Sequence, residues 1–110
     1  MKNVSLLKQE LSTCEEVVMN ILWDAGQSLT CKEVMQQLNE KYGLAYVDTT
    51  IYTFLSTLIK KGFVFMIRRG VNLYSPCQNR EDYLHQKLKG ITQIWFDGDT
   101  SRLQQFIDER

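Results

Sequence analysis

Thr49, Thr50, Tyr52, Thr53, Ser56, Thr57 and Lys60 crowd into one short stretch, DTTIYTFLSTLIKKG. Ile51, Phe54, Leu55, Leu58 and Ile59 fall between them at i, i+3, i+4, i+7 and i+8, an apolar stripe at helical period. The opposite face carries Thr49, Thr53, Ser56 and Lys60, flanked by Thr50, Tyr52 and Thr57. A solvated helix normally carries Glu and Lys pairs there. Small hydroxyl side chains instead let a helix approach another surface closely. A threonine offers both a hydroxyl and a methyl, the groups that read a base edge or a thymine methyl in a DNA major groove. Asp48 is the expected N-cap and Gly62 the left-handed stop after two lysines. Beyond it, Arg68-Arg69-Gly70 stands where a hairpin should turn, and a basic tip there suits a phosphate backbone. The competing reading is a core helix on a two-stranded sheet with a solvated turn.

Other chemistries lack their residues. No nucleophile stands with a base and an orienter, and there is no glycine-rich phosphate loop or recognisable carboxylate pair, so the chain reads as a non-enzyme. Cys14, Cys31 and Cys77 form no CxxC or CxC pair, and an odd number argues against a disulfide framework. Cys14 and Cys31 fall on apolar helix faces as small hydrophobes, and the single histidine, His85, is expected in solvent. No metal-ligand spacing occurs and no cofactor is implied.

Local signals place the elements. After a loose lead-in over the first ten residues, Ser12-Thr-Cys-Glu15 is a capping box opening a helix with Cys14, Val18, Ile21, Leu22 and Ala25 on one face, stopped by Gly26. Thr30-Cys-Lys-Glu33 is a second box; its helix buries Cys31, Val34, Leu38 and Tyr42 and ends at Gly43. GQSL between them has room for a small strand that pairs with the later hairpin. Two helices joined by a short turn, the second beginning with small polar residues, form a helix-turn-helix pattern. Phe63 to Ile67 and Val71 to Ser75 are the expected strands, closed by Pro76, and Phe63, Phe65, Tyr74, Trp23 and Trp95 are core or interface residues.

A further helix begins near Asn79, with Leu84, Leu88, Ile91 and Trp95 on a narrow seam close to heptad spacing. Gly90 within it costs about 1 kcal/mol relative to Ala, so something must hold it. After Asp97-Gly-Asp-Thr a last short helix carries Leu103, Phe106 and Ile107. Two short amphipathic helices cannot bury these stripes alone, and a homodimer would bury both. The fold class is mostly α with a small β-hairpin: a winged helix-turn-helix over residues 1–78 and a helical dimerisation region over 79–110.

With 110 residues, 44% of them apolar, the chain has room for one modest core and a small appendage. The formal net charge is zero, which on its own counts against nucleic acid. The charge is unevenly spread: residues 48–78 hold Lys60, Lys61, Arg68 and Arg69 against Asp48 alone, while both flanks are net acidic. The start, MKNVSLLKQELS, lacks the marks of a signal peptide and no apolar run reaches membrane-spanning length, so the cytoplasm is the expected location, with no membrane partner.

In this order the segments EEVVMNILWDAGQSLTCKEVMQQL, TTIYTFLSTLIKKGFV and LYSPCQNREDYL resemble the penicillinase-repressor family of bacterial transcriptional repressors, over about Leu11 to Ile107. VMNILW, the TT start of the third helix with its LIKKGF close, and the YSP ending the wing are the most specific marks. The resemblance implies a dimeric repressor on a palindromic double-stranded DNA operator. Its third helix would face the groove through Thr49, Thr50, Tyr52, Thr53, Ser56 and Thr57. Arg68 and Arg69 would serve the wing, and Thr30 and Lys32 would touch phosphate. Family members often carry Arg or Lys where this chain has Thr49, Tyr52 and Thr57, so no operator sequence carries over. The chain stops earlier than expected of the family, implying a shortened dimer region. The family's antibiotic-responsive branch is relieved by a sensor protease cutting before a phenylalanine, which corresponds here to Gln105–Phe106. Its copper-sensing branch uses CxC ligands that this sequence lacks. Two alternatives stand beside a DNA-binding repressor: a winged-helix protein-interaction module without DNA binding, and a metal-responsive repressor.

Overall fold

The computed structural model describes residues 11–109, and the lead-in expected over the first ten residues lies outside them. Three helices come first, α1 (Thr13–Ala25), α2 (Cys31–Tyr42) and α3 (Asp48–Lys60). An antiparallel hairpin follows, β1 (Val64–Arg69) and β2 (Val71–Pro76), and then α4 (Arg80–Trp95) and α5 (Thr100–Asp108). The chain divides into two compact units between Asn79 and Arg80.

Both capping boxes form. The Ser12 hydroxyl accepts from the Glu15 amide and the Glu15 carboxylate accepts from the Ser12 amide; Thr30 and Glu33 do the same for α2. Asp48 does not cap α3. The N-cap is Val47, with no side-chain bond, and Asp48 is the first helical residue, where its charge suits the positive end of the helix. At the other end Lys61 is the C-cap and Gly62 follows at φ 84°. The amides of Gly62 and Phe63 reach back to the carbonyls of Ile59 and Leu58, a Schellman closure that turns the chain into the hairpin.

The core of the first unit comes from all of these elements. Val18, Met19, Ile21 and Leu22 of α1, Val34 and Leu38 of α2, and Ile51, Leu55 and Leu58 of α3 are fully buried together with Phe63. Each such side chain contributes about 1.5–3 kcal/mol of apolar burial. Two stripe positions are exposed instead. Tyr42, expected in the core, is 40% exposed, because it ends α2 and its hydroxyl lies at the surface accepting from Asn20 Nδ2 at 3.0 Å. Ile59 is 38% exposed, on the flank of α3. The expected small strand is present as a single bridge: Leu29 and Tyr74 exchange both backbone hydrogen bonds, at 3.0 and 2.8 Å. Trp23 Nε1 donates to the Gln78 carbonyl at 2.8 Å, holding the chain beyond the hairpin against α1.

In the second unit Tyr83 and Thr92 are the buried residues of α4, and the Thr92 hydroxyl donates to the Leu88 carbonyl. Asp97 (φ 53°) and Gly98 (φ 78°) turn the chain, Asp99 caps α5, and the Phe96 and Phe106 rings meet at 5.7 Å. Leu84, Leu88, Trp95, Phe106 and Ile107 are exposed, while Ile91 and Leu103 are half-buried.

An ion pair joins the start of α1 to the residue after α3. Glu15 Oε1 accepts from Lys61 Nζ at 2.8 Å, with the carboxylate side chain only 8% exposed. Burial pushes the Glu15 carboxyl up. The Lys61 hydrogen bond and charge and the Ser12 bonds outweigh that, so it titrates below its ordinary value of 4.5. A depressed carboxylate adds stability above the unfolded-state value and loses it as pH falls through the folded one. Lys61→Ala should therefore cost about 1–3 kcal/mol at neutral pH. In denaturant melts its deficit should narrow as the pH drops below 4.5. An equal deficit from neutral pH down to acid would rule out this account of the pair.

Candidate nucleic-acid interface

α3 turns Ile51, Leu55 and Leu58 inward, and its period leaves Thr49, Tyr52, Thr53, Ser56 and Lys60 exposed, with Thr50 and Thr57 half-buried at the edges. The Thr53 hydroxyl donates to the Thr49 carbonyl at 3.0 Å, so its proton is spent within the helix and its methyl and lone pairs face outward. Lys60, in the last turn, sets a positive charge at the end of this face.

The approach to α3 is braced by Tyr46, which the sequence did not single out. Tyr46 stacks edge-on against Phe54 with ring centroids 5.4 Å apart, and its hydroxyl lies 3.3 Å from Cys14 Sγ. That bond to Cys14, with desolvation, pushes the Tyr46 hydroxyl upward. Cys31 is buried with its Sγ near the Asp48 carbonyl, and burial followed by the Asp48 charge raises its thiol, making it unreactive. Cys77 is exposed. Among the described residues no group of three or more His, Cys, Asp or Glu side chains is placed to hold a metal ion.

Thr30 and Lys32 sit at the start of α2. The Thr30 hydroxyl and amide are both engaged by Glu33, which also sets a carboxylate at this helix end; Lys32 is exposed.

The wing differs from expectation at its tip. Arg68 and Arg69 are the last two residues of β1 rather than turn residues: Arg68 pairs with Asn72 and Arg69 with Val71, leaving Gly70 alone at the reversal. Gly70 has φ 77°, which a side chain would strain. Alternation along the strands separates the two arginines. Arg68 shares the inward face with Val64, Tyr74 and Asn72, while Arg69 shares the outer face with Phe65, Ile67 and Val71. Arg68 Nη1 donates to Asn72 Oδ1 at 2.9 Å. All four cations in this stretch are exposed, but Lys61 is paired with Glu15, which leaves Lys60, Arg68 and Arg69 as the positive groups without a carboxylate partner among the described residues.

Three packed helices followed by a hairpin, the third helix presenting an uncharged hydroxyl face beside a basic strand end, define a winged helix-turn-helix. A model of the penicillinase repressor family matches residues 11–110, and the chain belongs to that family. It is 34% identical over 73 residues to the transcriptional regulator BlaI of Mycobacterium tuberculosis, an alignment covering 66% of this chain and 51% of the relative. The chain thus spans about half the length of the curated relatives it matches. The solution structure of the DNA-binding domain of the repressor BlaI superposes with a TM-score of 0.58 at 32% identity, covering 68% of this chain and 89% of that one. Bacillus licheniformis BlaI, solved as a monomer with the blaP half-operator, gives 0.56 at 31% identity, over 67% of this chain and 88% of that one. The hsRosR-S1 complex, at 17% identity and a TM-score of 0.61 over 93% of both chains, is alike in fold. No helix among the described residues is long and apolar enough to cross a membrane.

Proposed function

We propose that this chain is a DNA-binding transcriptional repressor that binds a palindromic operator as a homodimer and has no enzymatic activity. The observation that carries this reading is the exposed face of α3, polar but uncharged through Thr49, Tyr52, Thr53 and Ser56, with Lys60 at its end and the wing arginines beside it. The solved BlaI half-operator complex supports it. Threonine methyls and hydroxyls meet base edges, while Lys60, Arg68 and Arg69 meet phosphates. Lys32 meets phosphate at the flank, with Thr30 positioning the start of α2 through its cap. The zero net charge is offset because residues 48–78 hold Lys60, Lys61, Arg68 and Arg69 against Asp48 alone.

Gel shift against DNA upstream of the chain's own gene is the direct test. A complex there supports the repressor; no binding to any DNA favours a winged helix that docks protein. Given binding, changing Arg68 and Arg69 together to Ala should weaken it for all sequences. The dependence of log K on log salt should flatten by about one unit per lost phosphate contact. Thr49→Ala or Thr53→Ala should instead change which base pairs are preferred. An unchanged slope or an unchanged preference removes the corresponding group from the interface.

Dimerisation rests on α4 and α5. Trp95 is 74% exposed and Leu88 47%, apolar surface that a second copy would cover. Leu88→Lys or Trp95→Lys should give monomers in sedimentation, since each sets a charge in that contact. An intact dimer from either variant would move the contact elsewhere.

Relief of repression is assigned to cleavage at Gln105–Phe106 by a sensor protease. Both residues are exposed, within the nine-residue α5. So short a helix is marginal alone and can unwind to the extended form a protease needs. Loss of the dimer would remove an avidity gain of about 10². Mass spectrometry of the protein from derepressed cells should find the chain cut before Phe106; only full-length protein would point to a ligand or a thiol modification instead.

A further inference from the structure

The two wing arginines are held differently. Arg69 lies on the outer face of the hairpin opposite Val71, which is 53% exposed. Arg68 lies on the inner face, directly opposite Asn72, whose Oδ1 accepts from its guanidinium at 2.9 Å. Asn72 is half-buried, and Tyr74 lies two residues along the same face. Tyr74 is only 4% exposed, and its backbone is locked to Leu29 by two hydrogen bonds. The strand that carries Asn72 is therefore anchored to the core at Tyr74, and Asn72 holds one of the two guanidinium groups.

We propose that Asn72 is a positioning residue that aims Arg68, so that Arg68 makes the oriented phosphate contact of the wing while Arg69 contributes only unspecific attraction. The inference rests on the DNA-binding reading and assigns a division of labour within it. A guanidinium has five donors in a fixed fork, and one bond to Asn72 leaves the rest to grip a phosphate. Holding the fork in place before binding removes ordering entropy that a free arginine would lose on the DNA. Asn72 is suited to this because it is half-buried in register opposite Arg68, on a strand tied to the core two residues further on.

A double-mutant cycle on operator affinity tests the proposal, using the full chain with Asn72→Ala, Arg68→Ala and both together, and Arg69→Ala for comparison. Asn72→Ala should weaken binding by about twofold to tenfold when Arg68 is present. It should have no further effect in the Arg68→Ala background. Asn72→Asp should pair ionically with Arg68 and lower the salt slope by up to about one unit, a change that a merely structural residue would not produce. Matching thermal unfolding of the Asn72 variants and wild type excludes loss of the wing. Equal effects of Asn72→Ala in both backgrounds, or none in either, would overturn the assignment. Failure of wild type to bind any DNA would instead overturn the reading beneath it, so the two failures are distinguishable.

Discussion

The structure of the first unit depends on one pair of backbone hydrogen bonds, those between Leu29 and Tyr74. Helix-turn-helix and hairpin could each form locally, but neither dictates where the other lies. Both residues of the bridge are buried, so their amides and carbonyls have little access to water, and breaking either bond would strand a polar group. The hydroxyls of Ser28 and Ser75 meet beside it. Through this bridge the turn before α2 becomes the third edge of the wing, and the wing's angle to α3 is fixed by main chain rather than by side-chain packing alone.

A second constraint closes the opposite corner. Glu15 sits where the start of α1 meets the end of α3, and it completes the cap of the first helix while holding Lys61 just past the third. Removing the lysine leaves the Glu15 carboxylate poorly solvated, which is why such a pair acts as a latch more than as a source of net stability. It also changes the electrostatic picture, because the charge of the lysine nearest the base of the wing is paired with a buried carboxylate. Attraction at long range falls to the cations at the edges, and the centre of α3 stays neutral.

Much of this was legible in the sequence because its causes are local. The capping boxes at Ser12 and Thr30 need only four consecutive residues, and GQSL advertised a strand through its position between two capped helices. The arginines were placed at a turn because Gly70 marks one, yet the turn is so tight that both remain paired in β1. Asp48 looked like a cap because its type prefers that role, but Val47 already holds the extended conformation that the N-cap requires. Tyr42 matched the apolar stripe and still lies at the surface, since its hydroxyl finds Asn20 there. The pairing of Glu15 with Lys61 spans 46 residues and left no mark in either segment. The bond from Arg68 to Asn72 depended on strand register, which a two-residue error in either strand end would erase.

The unequal starts of the three helices set where this unit yields first. α1 and α2 each begin with two reciprocal side-chain bonds, whereas α3 begins at Val47 with none. The free energy needed to open the first turn is accordingly lowest in the helix that carries the hydroxyl face. Thr49 and Thr50 stand in that turn, while Ile51, Leu55 and Leu58 keep the remainder clamped to the core. The helix is thus stiff along most of its length and yielding at its leading end. It can settle that end against surfaces of slightly different contour without disturbing the packing behind it.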